Sequence, residues 1–488
     1  MKLEQLFSNF SRARPFETMK WELFSKCAIK EILKTHAPHL NTRAYMAAAE
    51  IFPFRVNPYV VEKLIDWSNT PNDPMFKLTF PQPEMVTPGQ LSSVLEAMDR
   101  KERKEALQKA AAEHSNRGPR NALVAAAEKV RGNFNPHPAG QKTQNVPKVD
   151  GHPLEGIQHK YRETMLFFPA EGQFCHTWCT YCFRWPQFTS VGSAQQFKSK
   201  NPERLRDYIA AHPNLQDVLF TGGDPMVMTT EQIRRYIDPI LHNAGTDHLN
   251  TIRFGTKSLA YWPYRFLDDK DAKPTLKYFE DIIKSGKHVS IQAHFTHPRE
   301  LETAEVQEAM RLIHMTGANI RTQSPVIRGI NDSADVWAKM WKMQVNLGAT
   351  PYYMFIERDT GAKDYFSLPL ARAHEIYTTA KSRLAGTARH ARGPSMSAEP
   401  GKIAINGVID IPDKGKYFIL EFLQARNPAW IGKPFLAEFS PTATWINELT
   451  PAFGAERFFY EDEFDTIKAN DAQSSGQMNW DGPPCGSK

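Results

Sequence analysis

The chain has 488 residues, of which 41% are hydrophobic and 23% charged, with a net charge of +6. This is the composition of a soluble globular protein long enough to bury a sizeable core without disulfide staples. The mild charge, with no basic aromatic-rich module, argues against nucleic acid as a partner, and the lack of any 18-residue apolar run argues against a membrane partner or span.

The opening residues, MKLEQLFSNFSRARPF, carry early charges and no apolar signal-peptide core, so a cytoplasmic location is expected. Residues 1–98 read as a helical N-terminal subdomain, with Trp21, Phe24, Cys27, Ile32 and Leu33 at helical spacing. Turn chemistry follows at Asn57-Pro58 and between Asn69 and Pro74. Residues 99–153 read as a basic helical insert and linker. The stretch 99–132 is charged and Ala-rich, as a solvated surface helix would be, and 133–153 is rich in Pro, Gly and Asn.

From 154 to 395 short apolar runs alternate with amphipathic stretches. Met165–Phe168, Asp217–Phe220, Thr251–Phe254, Val289–Phe295, Asn319–Ser324 and Pro351–Phe355 read as strands. Glu231–Leu241, Thr275–Ser285, Thr303–Met315 and Ala334–Leu347 read as helices, with one more at Pro369–Leu384. Repeated strand–helix–strand units imply an α/β fold: a partial (β/α)6 barrel with its site at the C-terminal strand ends. Residues 396–488 read as a small C-terminal extension, with strands at Lys402–Ile411 and Lys416–Phe422 and a polar tail.

Five cysteines are present, Cys27, Cys175, Cys179, Cys182 and Cys485, three of them within eight residues. That is not a disulfide framework. The segment FCHTWCTYCFR (174–184) spaces them Cys-x3-Cys-x2-Cys just after the first barrel strand. Three thiolates can hold three irons of a [4Fe–4S] cluster, leaving the fourth iron open for chemistry. A structural zinc site would want paired Cys-x2-Cys units and a fourth ligand, and His176 is badly placed to serve. A ferredoxin-type carrier needs a fourth cysteine, and Cys27 and Cys485 are distant. One βα unit later comes Thr221-Gly222-Gly223-Asp224-Pro225. Its glycines let backbone approach a ligand closely, and Asp224 can accept from an ammonium group. Together these features resemble the radical S-adenosylmethionine (SAM) superfamily. There the open iron chelates the amino and carboxylate groups of SAM, a Gly-Gly-Asp or Gly-Gly-Glu contacts the SAM amine, and an electron releases a 5′-deoxyadenosyl radical.

From about residue 50 to 410 the chain further resembles the lysine 2,3-aminomutases and related amino-acid aminomutases. NPYVVEKLID…NDP (57–74), the His159-Lys160-Tyr161 region, CHTWCTYCFR, TGGDP, HFTHP (294–298), QSPVIRGIND (323–332) and PYY (351–353) come in that family's order. The resemblance implies a small amino-acid substrate, an electron donor such as flavodoxin or ferredoxin, possession of pyridoxal 5′-phosphate (PLP) as well as SAM, and a homo-oligomer. It implies Tyr181, Gly222, Gly223, Asp224, Gln292, His294 and Gln323 as SAM contacts, with His297 nearby, and Arg184 as the binder of the substrate carboxylate. It implies Lys402, Tyr161 and Arg162 toward PLP, and Arg358 and Ser397 toward the substrate side chain.

Departures from the family pattern carry as much information. The family's PLP lysine follows a glycine-rich loop. Here the region is the shorter Ser397-Ala398-Glu399-Pro400-Gly401-Lys402, and Thr164 stands where the family has a phosphate-binding arginine. The two family aspartates that hold a lysine ammonium fall at Arg358 or its neighbours and at Ser397, so a substrate other than lysine is expected. The family's zinc cysteines are missing: Cys485 is alone and Ser333 follows Asn331-Asp332. The expected function is therefore a radical SAM 2,3-aminomutase acting on another amino acid. The alternative is a PLP-independent radical SAM enzyme (dehydrogenation, epimerisation or decarboxylation) on the same scaffold. A non-catalytic iron–sulfur or zinc protein is a third reading, which requires the SAM contacts to be accidental.

Overall fold

A computed structural model describes residues 17–111, 119–136, 145–149, 151–189 and 196–473. Cys485, the polar tail and part of the Ala-rich insert fall outside these residues. The centre is one eleven-stranded sheet whose strands lie in chain order. They are β1 (Ile157–Tyr161), β2 (Thr164–Phe167), β3 (Asp217–Phe220), β4 (Thr251–Thr256), β5 (His288–His294), β6 (Asn319–Val326), β7 (Thr350–Ile356), β8 (Arg392–Ser397), β9 (Gly401–Ile411), β10 (Gly415–Ala425) and β11 (Pro434–Glu438). Strands β2 through β8 pair in parallel. Strand β1 and strands β9–β11 add antiparallel edges. The result is a mixed α/β fold with a large, mostly parallel sheet.

Helices α1 (Ile29–His36), α2 (Thr42–Ile51), α3 (Pro88–Ala111) and α4 (Pro119–Arg131) precede the sheet. The crossovers are α5 (Pro202–Ala210), α6 (Thr230–Leu241), α7 (Ala272–Lys284), α8 (Ala304–Met315), α9 (Ala334–Asn346) and α10 (Leu370–Ser382). Local chemistry explains them. Thr229 caps α6 by accepting from Gln232 N, and Ile233, Tyr236, Ile237 and Ile240 form its buried stripe. In β5, Val289, Ile291 and Ala293 are core residues, while Ser290 and Gln292 on the opposite face line a cavity. A parallel strand covered on both faces is normally apolar on both. Here the inner face is polar, and that is where chemistry can sit.

Several expectations are corrected. A seventh parallel strand, β8, follows the six read from the sequence. Its Arg-Gly-Pro-Ser-Met-Ser has no β-branched residue, so only its place beside β7 makes it a strand. The expected 98/99 boundary lies inside α3 and the expected 395/396 boundary inside β8. Trp21, Phe24 and Cys27 do not share a helix: regular α-helix begins at Ile29, and Trp21 stands edge-on to His176 and Trp262. The sheet curls until Lys160 on β1 donates to the Ala398 carbonyl beyond β8. Among the described residues no helix is long and apolar enough to cross a membrane.

Candidate active site

The cysteine loop leaves the C-terminal end of β2 with no regular structure of its own, so its backbone groups need outside partners. The N-terminal subdomain supplies them. Trp178 N donates to Arg55 O (3.0 Å) and Thr180 N to Leu78 O (2.9 Å). The fully buried Asn57 amide donates to His176 O (3.2 Å), Thr177 Oγ1 (3.0 Å) and Tyr261 O (2.9 Å). Asp73 caps the next helical turn through Phe76 N (2.8 Å) and pairs with Arg299. The Asn57-Pro58 and Asn69–Pro74 turns thus brace the cysteines.

Burial pushes all three thiols above the ordinary range, Cys182 to about 12, and the thiols reinforce one another. Arg55 opposes the shift at Cys175, and Tyr261 OH lies 3.4 Å from Cys179 Sγ. His176 bonds Ser258 Oγ through Nδ1 (2.8 Å), and burial lowers it to about 3. It is a neutral strut.

Of the expected SAM contacts, the structure brings some to the loop and turns others away. Tyr181 OH meets His294 Nδ1 (3.0 Å) and Thr296 Oγ1 (3.3 Å). Gln323 is the register partner of His294 on β6. Gly222, at φ 149°, and Gly223 press against the chain entering the cysteine loop: added Cβ atoms would stand 2.2 Å from Gln173 Nε2 and 2.5 Å from Phe174 backbone. The glycines are needed for that close approach. The Asp224 carboxylate is also a tie within the sheet. Its carboxylate already accepts from Thr256 Oγ1 (2.7 and 2.8 Å), Lys257 N (2.9 Å), Met226 N (2.9 Å) and Ser258 Oγ (3.0 Å), tying β3 to β4. Gln292 bonds Ser290 and lines a cavity at the other mouth of the sheet. His297 caps a helical turn through Arg299 N (3.3 Å).

Cations gather inside the sheet. Arg184, 8% exposed, stacks its guanidinium over Phe168 (4.3 Å) and Phe183 (5.1 Å). Burial pulls it down to about 10, and its Nη1 is buried without an acceptor. Arg358 stacks on Phe183 at 4.2 Å and is held down by burial. Lys402 donates to Gln424 Oε1 (3.0 Å) and lies 4.0 Å over the Tyr353 ring. Burial, reinforced by Arg253, Arg392 and Arg358, holds its amine well below the usual lysine range. Ser397 is the register partner of Lys402 across the β8–β9 hairpin, so the two share a face. Lys160, which sequence reasoning passed over, is held down likewise by burial and by Arg426, Arg358 and Lys402. Its signal was its place beside Tyr161, whose burial also raises its phenol. The Arg162 guanidinium turns to Asn214 Oδ1 (3.1 Å), away from this cluster. The carboxyl beside Arg358 is Glu357, which burial raises to about 8.

No family model matches the chain. A protein of Aquifex aeolicus (strain VF5) named "Putative L-lysine 2,3-aminomutase" is 30% identical over 303 residues, 61% of this chain and 75% of that protein. The chain belongs to the radical SAM superfamily, in its lysine 2,3-aminomutase-like family. The L-lysine 2,3-aminomutase of Haemophilus influenzae is 25% identical to this radical SAM protein over 265 residues (54% and 73%). That of Clostridium subterminale is 24% identical over 234 residues, 48% of this chain and 52% of its own. Among solved structures, "Native anSMEcpe with bound AdoMet" aligns with 45% of this chain and 58% of its own at 15% identity and a TM-score of 0.32.

A [4Fe–4S] cluster is implied by membership in the radical SAM family. The donor set fits it. Three half-buried thiols, each raised above the ordinary range by desolvation, favour the protonated form until a metal binds, and ligation deprotonates a thiol outright. Among the described residues no three His, Cys, Asp or Glu side chains converge on a single metal ion. Thiolates of a four-iron cube sit on separate irons and stand further apart than the ligands of one ion.

Proposed function

We propose that this protein is an isomerase of the aminomutase type whose substrate is an amino acid with an acidic or neutral side chain, not lysine. Its cysteines 175, 179 and 182 would hold the cluster, with Tyr181, His294, Gln323 and the Gly222-Gly223 turn beside SAM. The bound cluster and SAM would supply a 5′-deoxyadenosyl radical that takes a hydrogen from the substrate. Arg184 would grip the α-carboxylate, and Arg358, reaching the same Phe183 ring, would receive the side chain.

The observation that carries this reading is the pair of enclosed arginines. Neither has a carboxylate bonded to it among the described residues, and for Arg184, which is buried, a charge without a partner costs several kcal/mol. Glu357 beside Arg358, raised by burial to about 8, does little to offset the arginine charge at neutral pH. A dicarboxylic amino acid offers such a site two anionic ends. A cationic lysine side chain would add to the repulsion.

Lys402 fits PLP: burial and the neighbouring arginines disfavour its ammonium form, and the free amine is the nucleophilic form needed to bond an aldehyde. The turn of Arg162 toward Asn214, with Thr164 beside it, favours the second reading, a PLP-independent radical SAM enzyme. The separating experiment is anaerobic reconstitution with iron and sulfide, then SAM, a strong reductant and candidate amino acids. An absorbance band from a lysine–PLP imine, lost in Lys402→Ala, supports the aminomutase. SAM cleavage without that band supports the second reading. Robust conversion of L-lysine to β-lysine would sink the substrate assignment.

A further inference from the structure

A cavity of about 300 Å³ opens at the opposite mouth of the sheet, where β3 to β7 begin. On its wall, Arg253 donates Nε to Asp217 Oδ1 (2.7 Å), leaving the terminal nitrogens of its fork with no protein acceptor among the described residues. Arg321 stands 5.1 Å over the Tyr352 ring and Arg392 4.6 Å from the same ring. Neither has a carboxylate bonded to it among the described residues. Asp217 is the one carboxylate in the wall, and it is shared between Arg253, Arg321 and Lys402.

At the inner end lies Gln292, 1% exposed. Its Nε2 donates to Ser290 Oγ (3.0 Å), and its Oε1 has no partner. A hydroxyl can donate as well as accept, so a half-turn of the amide lets Gln292 offer the cavity either an N–H or an oxygen. A buried polar atom left unmatched is destabilising. A guest with oxygen acceptors and an O–H matches it. Arginine forks fit phosphate geometry in a way a lysine does not.

We propose that this mouth is a binding site for a small phosphate-type oxyanion, gripped by Arg253 and Arg321 and met at its inner end by Gln292. The volume stands at the low end of ligand pockets, about 300–1,000 Å³, which suits a single phosphate group and not a nucleotide. Such a phosphate has two sources: a free phosphomonoester entering from this mouth, or the phosphate end of PLP held at Lys402, whose amine feels both Arg253 and Asp217. The grip is the same for both, and it does not depend on the radical reaction.

The test is calorimetric titration of inorganic phosphate into the full-length protein, without SAM or reductant. Saturable binding is expected, weakened at least tenfold in Arg321→Gln and in Gln292→Leu. Arg321 is exposed, so its variant keeps the wild-type melting temperature. If PLP abolishes phosphate binding and pyridoxal does not, the occupant is the PLP phosphate. If both bind together, it is a separate phosphomonoester. Absence of saturable binding, or unchanged affinity in Arg321→Gln, overturns the proposal.

Discussion

Replacing Arg358 with alanine tests the substrate assignment directly. Arg358 lies beside Tyr161 and Glu357 on the Phe183 ring, and its charge bears on Arg184, Lys160 and Lys402. A hydrogen bond to a charged group contributes about 1.5–3 kcal/mol. At 1.4 kcal/mol per factor of ten, Arg358→Ala should weaken a dicarboxylic amino acid by about 10- to 150-fold. Glu357 beside it, raised by burial to about 8, offers little competing anion at neutral pH. The same change removes repulsion among the enclosed cations, so the ligand-free variant should melt no lower than wild type. The assay is calorimetric binding of L-glutamate and L-lysine to the reconstituted protein without reductant, with melting curves of the ligand-free forms. Wild type preferring lysine, or glutamate binding equally to both proteins, would refute the reasoning.

Other consequences follow from the braces around the cysteines. Asn57→Ala removes the donor to three buried acceptors and should cost about 2–4 kcal/mol; urea unfolding and iron content after reconstitution should both fall. Tyr261→Phe deletes the hydroxyl beside Cys179 Sγ and should lower the cluster's reduction potential without loss of iron, since hydrogen bonds to cluster sulfurs set that potential; an unchanged potential in an EPR titration counts against the contact. Burial lowers His159 and His297 to about 4, so between that pH and about 6.5 these rings take up protons only on unfolding. The unfolded state binds more protons there, so stability should fall as pH drops below about 6.5, by about 1.4 kcal/mol per pH unit for each ring. A urea midpoint that is flat from pH 7 to 5 contradicts their burial as neutral rings.

The cysteine loop stands out in the sequence because its pattern is local: three thiols within eight residues and a Gly-Gly turn one βα unit later. The six βα repeats were legible because helical and strand periods are written over ten or more residues each. What escaped were features that depend on distant partners. Strand β8 lacks strand propensity and exists because β7 lies beside it. Asp224 looks unpartnered in a row of letters, but Thr256 at the end of the next strand and Lys257 and Ser258 just beyond it donate to its oxygens. Arg162 and Lys160 are neighbours in the chain, yet one turns to Asn214 and the other to Ala398.

By itself, then, the sequence determined that three cysteines cluster within eight residues and that a mostly parallel α/β sheet carries them. The tertiary structure decided which side chains share an interior. Curling the sheet brings Arg184, Arg358, Lys160 and Lys402 together from strands and loops up to 242 positions apart (402 minus 160). It also sends Gln292 to the mouth opposite the cysteines. The reason is geometric. A strand's side chains alternate faces, so one residue of register decides which side a charge meets. Burial then decides whether that charge needs a ligand.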